Sequence, residues 1–437
     1  MSGLACSQEL RQRGYEVLVV EARSRVGGRL KGEVYSNNSG GDVIMTRQHA
    51  VDVGGALIHG IDDNPMYDIT TQMGVPVHPV SSYCLLMDEN GWPFDPKEDE
   101  KMDNFFNECL DVTFAKAEQD RDSKESFGSL FENNGNNNSI NNNNHNNNWE
   151  NPLLKWHRAN LELPTGASFY DLGNTWNEDE PFGFDGAHAA VECSWKLIME
   201  RLADGLEILN NSPVIDIQDP SSTVQVTLQN GVVLEADALV CTLPLGVLKL
   251  PHNEPGHVRF VPSLSPTKKN AIQELGCGLL NKCAISFPTA FWQDSDFLGK
   301  AEMEYSYLVL NAMKYTQKPI LIFMYGGDFA LDVEDWTDKE IISDCLDVLK
   351  KICGREIPAL VDYCITRWGQ EQYSRMAFTY IPPGVDGKKA LGSISQPVHD
   401  PVLEEKPLIM FAGEHTTPYH PSTMHGAFLS GIREAYR

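Results

Sequence analysis

"SGLACSQELRQRGYEVLVVEARSRVGGRL", residues 2–30, is the stretch that decides the fold. Leu4 and Leu10 recur at helical spacing among small residues, and Gly14 supplies the left-handed stop that helices favour. "YEVLVVEARSRVGGRL", residues 15–30, begins with a compact β-branched and leucine run that predicts a buried strand rather than an amphipathic one. Gly3 has the place of the last glycine in a G-x-G-x-x-G turn, and Glu21 closes the strand. Turn, helix, strand and acidic residue form the second half of a βαβ dinucleotide-binding unit. Its helix N-terminus faces a pyrophosphate, and its carboxylate accepts hydrogen bonds from ribose hydroxyls. Arg23 and Arg29 flank the Gly27–Gly28 turn, where backbone and guanidinium groups can approach phosphates.

Working outward, 437 residues suffice for two or more domains, and 41% hydrophobic content is ordinary for a globular chain. Acidic residues outnumber basic ones by 61 to 35, a net charge of −26. That balance excludes a general nucleic-acid-binding surface and suits a cationic partner, although a merely solvated acidic surface gives the same count. No apolar run approaches the ~20 residues that span a bilayer, and no secretory leader is legible, so neither membrane association nor secretion is expected. The ten cysteines include no C-x-x-C pair. Neither a zinc site nor a disulfide framework is indicated, which favours a reducing compartment.

Residues 118–149 are expected to be a disordered surface insertion, because their asparagine-rich run offers little to bury. Helical patterning resumes at "NPLLKWHRANLEL", residues 151–163. "TVQVTLQNGVVLEADALVCTLP", residues 223–244, reads as strands joined by an Asn-Gly turn. The tail from Lys406 reads as a buried strand, a loop, and a helix starting near Thr423.

Residues 2–30 resemble the FAD-binding start of the flavin-dependent amine oxidases. "VDVGGALIHGIDDNPM" (51–66), "CTLPLGVLK" (241–249), "GLLNKCAISF" (278–287) and "FAGEHTTPYHPSTMHGAFLSGIREA" (411–435) follow in that family's order. Within it, the lysine-specific histone demethylase branch is most similar, with polyamine oxidases next. The resemblance covers nearly the whole chain outside residues 118–149, and by the family pattern a first strand and two more glycines would precede Met1. It implies an α/β fold: a Rossmann-like FAD-binding domain (1–78, 183–278 and 387–437) interleaved with an α+β substrate-binding domain (79–182 and 279–386). It further implies that Ser2, Gly3, Glu21, Arg23, Gly28 and Arg29 hold the ADP half of FAD. Gly54, Gly55, Ala56 and Leu57 would pass close to the flavin, where missing side chains allow backbone approach. Val214 would meet the adenine side, Thr242 the middle of the cofactor, and Gly413 and Glu414 its ribityl–phosphate region. The helix from Thr423–Met424 would point its N-terminus at the flavin, where negative charge gathers on reduction.

The family's chemistry is oxidation of a C–N bond by hydride transfer to the flavin, with O2 as final acceptor and hydrogen peroxide as product. Lys282 stands inside an otherwise apolar strand. Pattern alone reads it as a strand-end lysine reaching solvent; the resemblance makes it the lysine that holds a water beside the flavin. No metal is expected. Trp368 matches a tryptophan packed by the flavin. Phe378 stands where the family usually has a tyrosine on one wall of the amine pocket. Thr423 stands where many polyamine and monoamine oxidases carry a second aromatic and the demethylase branch a threonine. Asp179 and Glu180, beside Glu178, form an acidic loop that could draw in a cation. The implied substrate is a cationic amine, either a methyl-lysine peptide or a polyamine such as spermine or spermidine; an incomplete, non-catalytic fragment is a third reading. The asparagine-rich segment has no apolar heptads, so corepressor binding through a helical tower is not expected. A demethylase would work in the nucleus, a polyamine oxidase in the cytoplasm.

Overall fold

The computed structural model describes residues 1–34, 50–121, 123–137, 151–174, 183–219, 222–301, 306–400 and 406–437. The opening helix runs Ser2–Gln12 and ends at Arg13, with Gly14 at φ +88°. It buries Ser2, Leu4, Ala5, Cys6 and Ser7, largely against the final helix, Met424–Tyr436. The two backbones come very close: a Cβ on Gly431 would lie 2.2 Å from the Ser2 carbonyl oxygen. Only glycine permits that approach.

Leu18–Val20 pairs in parallel with Glu207–Leu209. Contrary to the expectation of a buried strand, Leu18 is 41% exposed and its neighbours are half-buried. The β-branched run marks a strand correctly, but burial depends on what flanks it, and the strand has one strand partner among the described residues. Leu239–Cys241 pairs in parallel with Pro407–Phe411, which also carries Val398–His399. This strand ends at Phe411 and so delivers Glu414 to the end of the sheet. A four-stranded sheet contains the expected Asn-Gly hairpin, Val224–Leu228 against Val233–Ala236, with Gly231 at φ +86°.

The largest sheet has six strands, in the order Asp362–Ile365, Leu280–Ser286, Ile320–Gly326, Tyr307–Asn311, Phe297–Lys300 and Cys84–Met87. Its principal cover is the Asp338–Cys353 helix, which presents Ile341, Cys345, Val348, Leu349 and Ile352 along one face. Thr337 and Glu340 close a capping box at its start, and Gly354 ends it at φ +61°. A two-stranded sheet, Gly276–Gly278 with Phe378–Tyr380, lies beside this body.

The expected disordered insertion over 118–149 is corrected over its first part. Phe127–Asn137 is a helix, and Phe127 and Phe131 are 0% and 1% exposed, packed with Phe106 and Phe169. Phenylalanines at i and i+4 on one face give this stretch an apolar stripe despite its asparagines. Residues 138–150 lie outside the described residues. No helix among the described residues is long and apolar enough to cross a membrane.

Candidate functional site

Two segments far apart in sequence meet at the turn after the first strand. Arg29 Nη1 donates to Glu414 Oε1 at 2.9 Å and to the Ala377 carbonyl at 2.7 Å. Thr379 Oγ1 donates to the same Glu414 oxygen at 3.2 Å. Glu414 is 4% exposed, and its Oε2 has no hydrogen-bond partner among the described residues. Burial alone would raise its carboxyl, but Arg29, His415 and Thr379 together hold it below the ordinary range.

Gly3 faces Thr242, whose Oγ1 would stand 3.5 Å from a Cβ there. Ser2 is buried at the start of the same helix. Glu21 Oε1 accepts from the Arg23 amide at 2.8 Å. Arg23 itself turns to protein partners, forking onto Glu371 and donating to Ser374 Oγ at 2.8 Å, with the Tyr373 ring 5.6 Å away. Gly28 has φ +59°, and a Cβ there would meet nothing within 4 Å, so this glycine borders open space. Val214 is half-buried at the edge of the cluster that contains Cys241 and Phe411.

The glycines at 54 and 55 permit a close approach within the chain itself. A Cβ on Gly54 would lie 2.0 Å from the Arg29 carbonyl oxygen, and one on Gly55 would lie 2.7 Å from Leu30 Cδ2 and 3.4 Å from Met424 Sδ. These glycines let residues 29–31 pass: the Val53 and Gly54 amides donate to the Lys31 carbonyl at 2.9 and 3.1 Å, and the Gly55 amide to Arg29 at 3.2 Å. Ala56 is buried and Leu57 half-buried just beyond.

Lys282 does not reach solvent. It is 6% exposed, and its Nζ donates to the Gly54 carbonyl at 2.6 Å. Burial brings its ammonium down to about 8, opposed by the carboxylate of Asp52. The strand is fixed on its other side by Thr366, whose Oγ1 accepts from the Lys282 amide at 2.8 Å and whose own amide donates to the Lys282 carbonyl at 2.9 Å. Asn281 Oδ1 accepts from Thr366 Oγ1 at 3.1 Å and from the Trp368 amide at 3.0 Å, and its Nδ2 donates to Glu334 at 2.6 Å. This polar ladder places Trp368, 4% exposed, beside the lysine strand. The sequence reading missed Asn281, Thr366, Glu334 and Asp52; the one available signal was a polar residue inside an apolar strand, which applies to Asn281 and Asp52.

Phe378 pairs with Gly278, and its ring packs over Gly166, where a Cβ would lie 2.8 Å from Phe378 Cε2. Thr423 caps the final helix: its Oγ1 accepts from the Gly426 amide at 2.9 Å and donates to the His420 carbonyl at 2.7 Å. Ser422 donates to the Thr379 carbonyl, so the Thr423 turn and the Phe378 strand are tied together. Phe184 stacks on His420 at 4.5 Å beside this turn. Asp179 and Glu180, with Glu178, lie outside the described residues. An acidic side chain not anticipated, Glu162, lies one turn before Gly166; its Oε1 accepts from the Phe169 amide at 2.8 Å, and burial raises its carboxyl to about 7.

The family described as "Flavin containing amine oxidoreductase" matches residues 1–437. The chain is 33% identical over 447 residues to "Lysine-specific histone demethylase 1 homolog 2" of Oryza sativa subsp. japonica, covering 100% of this chain and 55% of that protein. It is 31% identical to "Lysine-specific histone demethylase 1B" of Mus musculus, covering 99% of this chain and 51% of the relative. It is 30% identical to "Lysine-specific histone demethylase 2" of Homo sapiens, with 99% and 52% covered. The chain thus spans about half the length of the curated relatives it matches.

Proposed function

The chain belongs to the flavin-containing amine oxidoreductases, and on that premise we propose that it binds FAD and oxidises the C–N bond of methylated lysine in a basic peptide. When bound, the flavin accepts hydride from the carbon beside the amine and passes the electrons to O2, yielding an imine and peroxide. The observation that carries the reading is the buried Lys282 ammonium on the Gly54 carbonyl, at the turn that also packs on Arg29 and Met424.

The residues present fit such a cofactor. Glu414 spends one oxygen on Arg29 and Thr379 and keeps a buried second oxygen as an acceptor for a hydroxyl. Gly28 borders open space near two arginines, and the Ser2–Gln12 helix offers N-terminal amides to an anion. Ser2, Gly3, Glu21, Arg29, Val214, Thr242, Gly413 and Glu414 would hold the nucleotide and ribityl parts. Arg23 would act through the Glu371 loop that it anchors. Gly54–Leu57, Trp368 and Met424 would border the ring system. Lys282 would hold a water with the donor hydrogens not spent on Gly54, and Phe378 and Thr423 would wall the amine pocket.

The partition into 1–78, 183–278 and 387–437 for the cofactor, and 79–182 and 279–386 for the substrate, is part of the same proposal. It is supported by the six-stranded sheet, all of whose strands fall in the second set, and by the Leu18–Val20 and Pro407–Phe411 pairings, which fall in the first. The methyl-lysine assignment rests on Thr423 and on the relatives, each named as a lysine-specific histone demethylase. It makes the partners a cationic peptide and O2, and the compartment the nucleus. The test is a flavin absorbance spectrum of the purified protein, followed by bleaching on anaerobic addition of a dimethyl-lysine peptide. Absence of bound flavin, or bleaching by polyamines alone, would overturn the reading.

A further inference from the structure

Asp52 is 3% exposed, lies two residues before Gly54, and has no role in the scheme above. Its carboxylate is held at the start of the Trp195–Leu202 helix: Ser194 Oγ donates to Oδ1 at 2.6 Å, and the Trp195 amide reaches Oδ1 and Oδ2 at 3.1 and 3.2 Å. A helix N-terminus is a favourable seat for an anion. The same Trp195, 0% exposed, donates its indole Nε1 to the Ala56 carbonyl at 2.9 Å. One tryptophan therefore pins both ends of residues 52–56, and the carbonyl between the pins, Gly54, is the one that receives Lys282. Val51 and Val53 pack into the cluster that holds Ala284 and Ile322, securing the segment against the lysine's own sheet.

We propose that Asp52 is the positioning residue for Lys282: seated on the Trp195 helix, it fixes the Gly54 carbonyl that orients the ammonium and supplies the buried negative charge that keeps it protonated. The proposal rests on the amine oxidase reading for the use made of Lys282, but not for the contact itself. The charge relationship is mutual. Burial raises Asp52 to about 7, with Ser194, the Trp195 amide and Lys282 all opposing the rise, while Asp52 opposes the fall of Lys282 to about 8. Other titratable groups that feel the pair are His59, lowered in part by Lys282, and Cys193 and Tyr315, each raised in part by Asp52. Each group therefore favours the ionised form of the other, and the two titrate as a pair.

The test compares wild type, Asp52→Asn, Ser194→Ala, Lys282→Met and the Asp52→Asn/Lys282→Met double variant. Asn keeps an acceptor for Ser194 and Trp195 but loses the charge outright; Ser194→Ala removes a hydrogen bond that favours the Asp52 carboxylate, and so weakens the charge without deleting it. Lysine side-chain NMR on the flavin-free protein should show the Lys282 midpoint fall by about one unit in Asp52→Asn and by less in Ser194→Ala. In the flavin-loaded protein, the pH profile of reoxidation should shift by the same tenfold in proton concentration, with no further change when Asp52→Asn is added to Lys282→Met. An unmoved Lys282 midpoint in Asp52→Asn, or a larger fall in Ser194→Ala than in Asp52→Asn, overturns the proposal. Wild-type reoxidation in Lys282→Met would instead overturn the assigned use of Lys282, and the NMR titration would still decide the Asp52 relationship.

Discussion

Arg29 and Glu414 stand near opposite ends of the chain, yet the Arg29 guanidinium lies 2.9 Å from Glu414 Oε1, and that oxygen also accepts from Thr379. The pair joins the Gly27–Gly28 turn to the end of the Pro407–Phe411 strand, and Glu414 Oε2, without a partner among the described residues, would be left for the proposed cofactor. Glu414→Gln keeps the shape and removes the charge. A hydrogen bond to a charged group is worth about 1.5–3 kcal/mol, so flavin should bind at least about tenfold more weakly. Flavin fluorescence titration reads this directly, and unchanged affinity would remove Glu414 from the cofactor site.

Lys282→Met should leave flavin bound and its reduction by substrate intact while slowing reaction of the reduced flavin with oxygen. Methionine fills similar space but cannot hold a water, and it leaves the Gly54 carbonyl without its donor. Stopped-flow reoxidation is the measurement; a wild-type rate would exclude Lys282 from this half-reaction.

His415 makes folding acid-sensitive. It is 1% exposed, and burial is the chief cause of its fall from 6.5 to about 4, with Glu414 opposing and Arg29, Arg433 and Lys268 contributing. Because the folded value lies below the unfolded one, the unfolded chain binds the extra proton between these values. Stability is therefore full above pH 6.5 and is lost as pH falls toward 4, by about 3 kcal/mol for this group. His59, lowered to about 3 mainly by burial, acts in the same direction over a wider range. Urea midpoints measured from pH 7.5 to 4.5 should fall steeply in wild type and less steeply in His415→Gln.

Phe131→Ala tests the helix at Phe127–Asn137. Removing this 1% exposed phenylalanine should cost about 3–5 kcal/mol. A thermal melt that did not change would return the segment to the solvated insertion its composition suggests.

That helix shows where the sequence was opaque. Periodicity exposed the Ser2–Gln12 helix and the hairpin at Gly231, because their spacing and turn residues are local signals. At Phe127 and Phe131 the signal was present, but asparagine composition dominated the reading. Leu18 failed differently: strand propensity is local, whereas burial depends on neighbours contributed from elsewhere in the chain. The site divides the same way. Lys282 was visible as a charge in an apolar strand, and the resemblance supplied its use. Asp52 was not, since a lone aspartate between valines gives no hint of Ser194 and Trp195. The glycines at 54 and 55 stood out in the sequence as a pair, and the close contact they permit in this structure is with Arg29 and Leu30.

The substrate is tested by competition between two cations. Thr423 engages its hydroxyl with the Gly426 amide and the His420 carbonyl, so in the proposed pocket it would offer neither an aromatic wall nor a free polar group. Phe378, held over Gly166, would supply an apolar face without the hydroxyl of a tyrosine. A pocket with one aromatic wall and one small one admits a bulky mono- or dimethyl-lysine. It holds a thin, flexible polyamine loosely, so that fewer bound molecules reach reacting geometry. Trimethyl-lysine should be inert, since its quaternary nitrogen has no lone pair from which an imine can form after hydride loss. With a net charge of −26, the protein should attract a basic peptide, and that preference should weaken as salt screens it. Peroxide release measured with methylated basic peptides, spermine and spermidine, at low and high salt, gives the ranking. A higher kcat/KM for either polyamine would replace the methyl-lysine reading with a polyamine oxidase. Equal turnover of trimethyl-lysine would contradict hydride loss to an imine as the chemistry at this site.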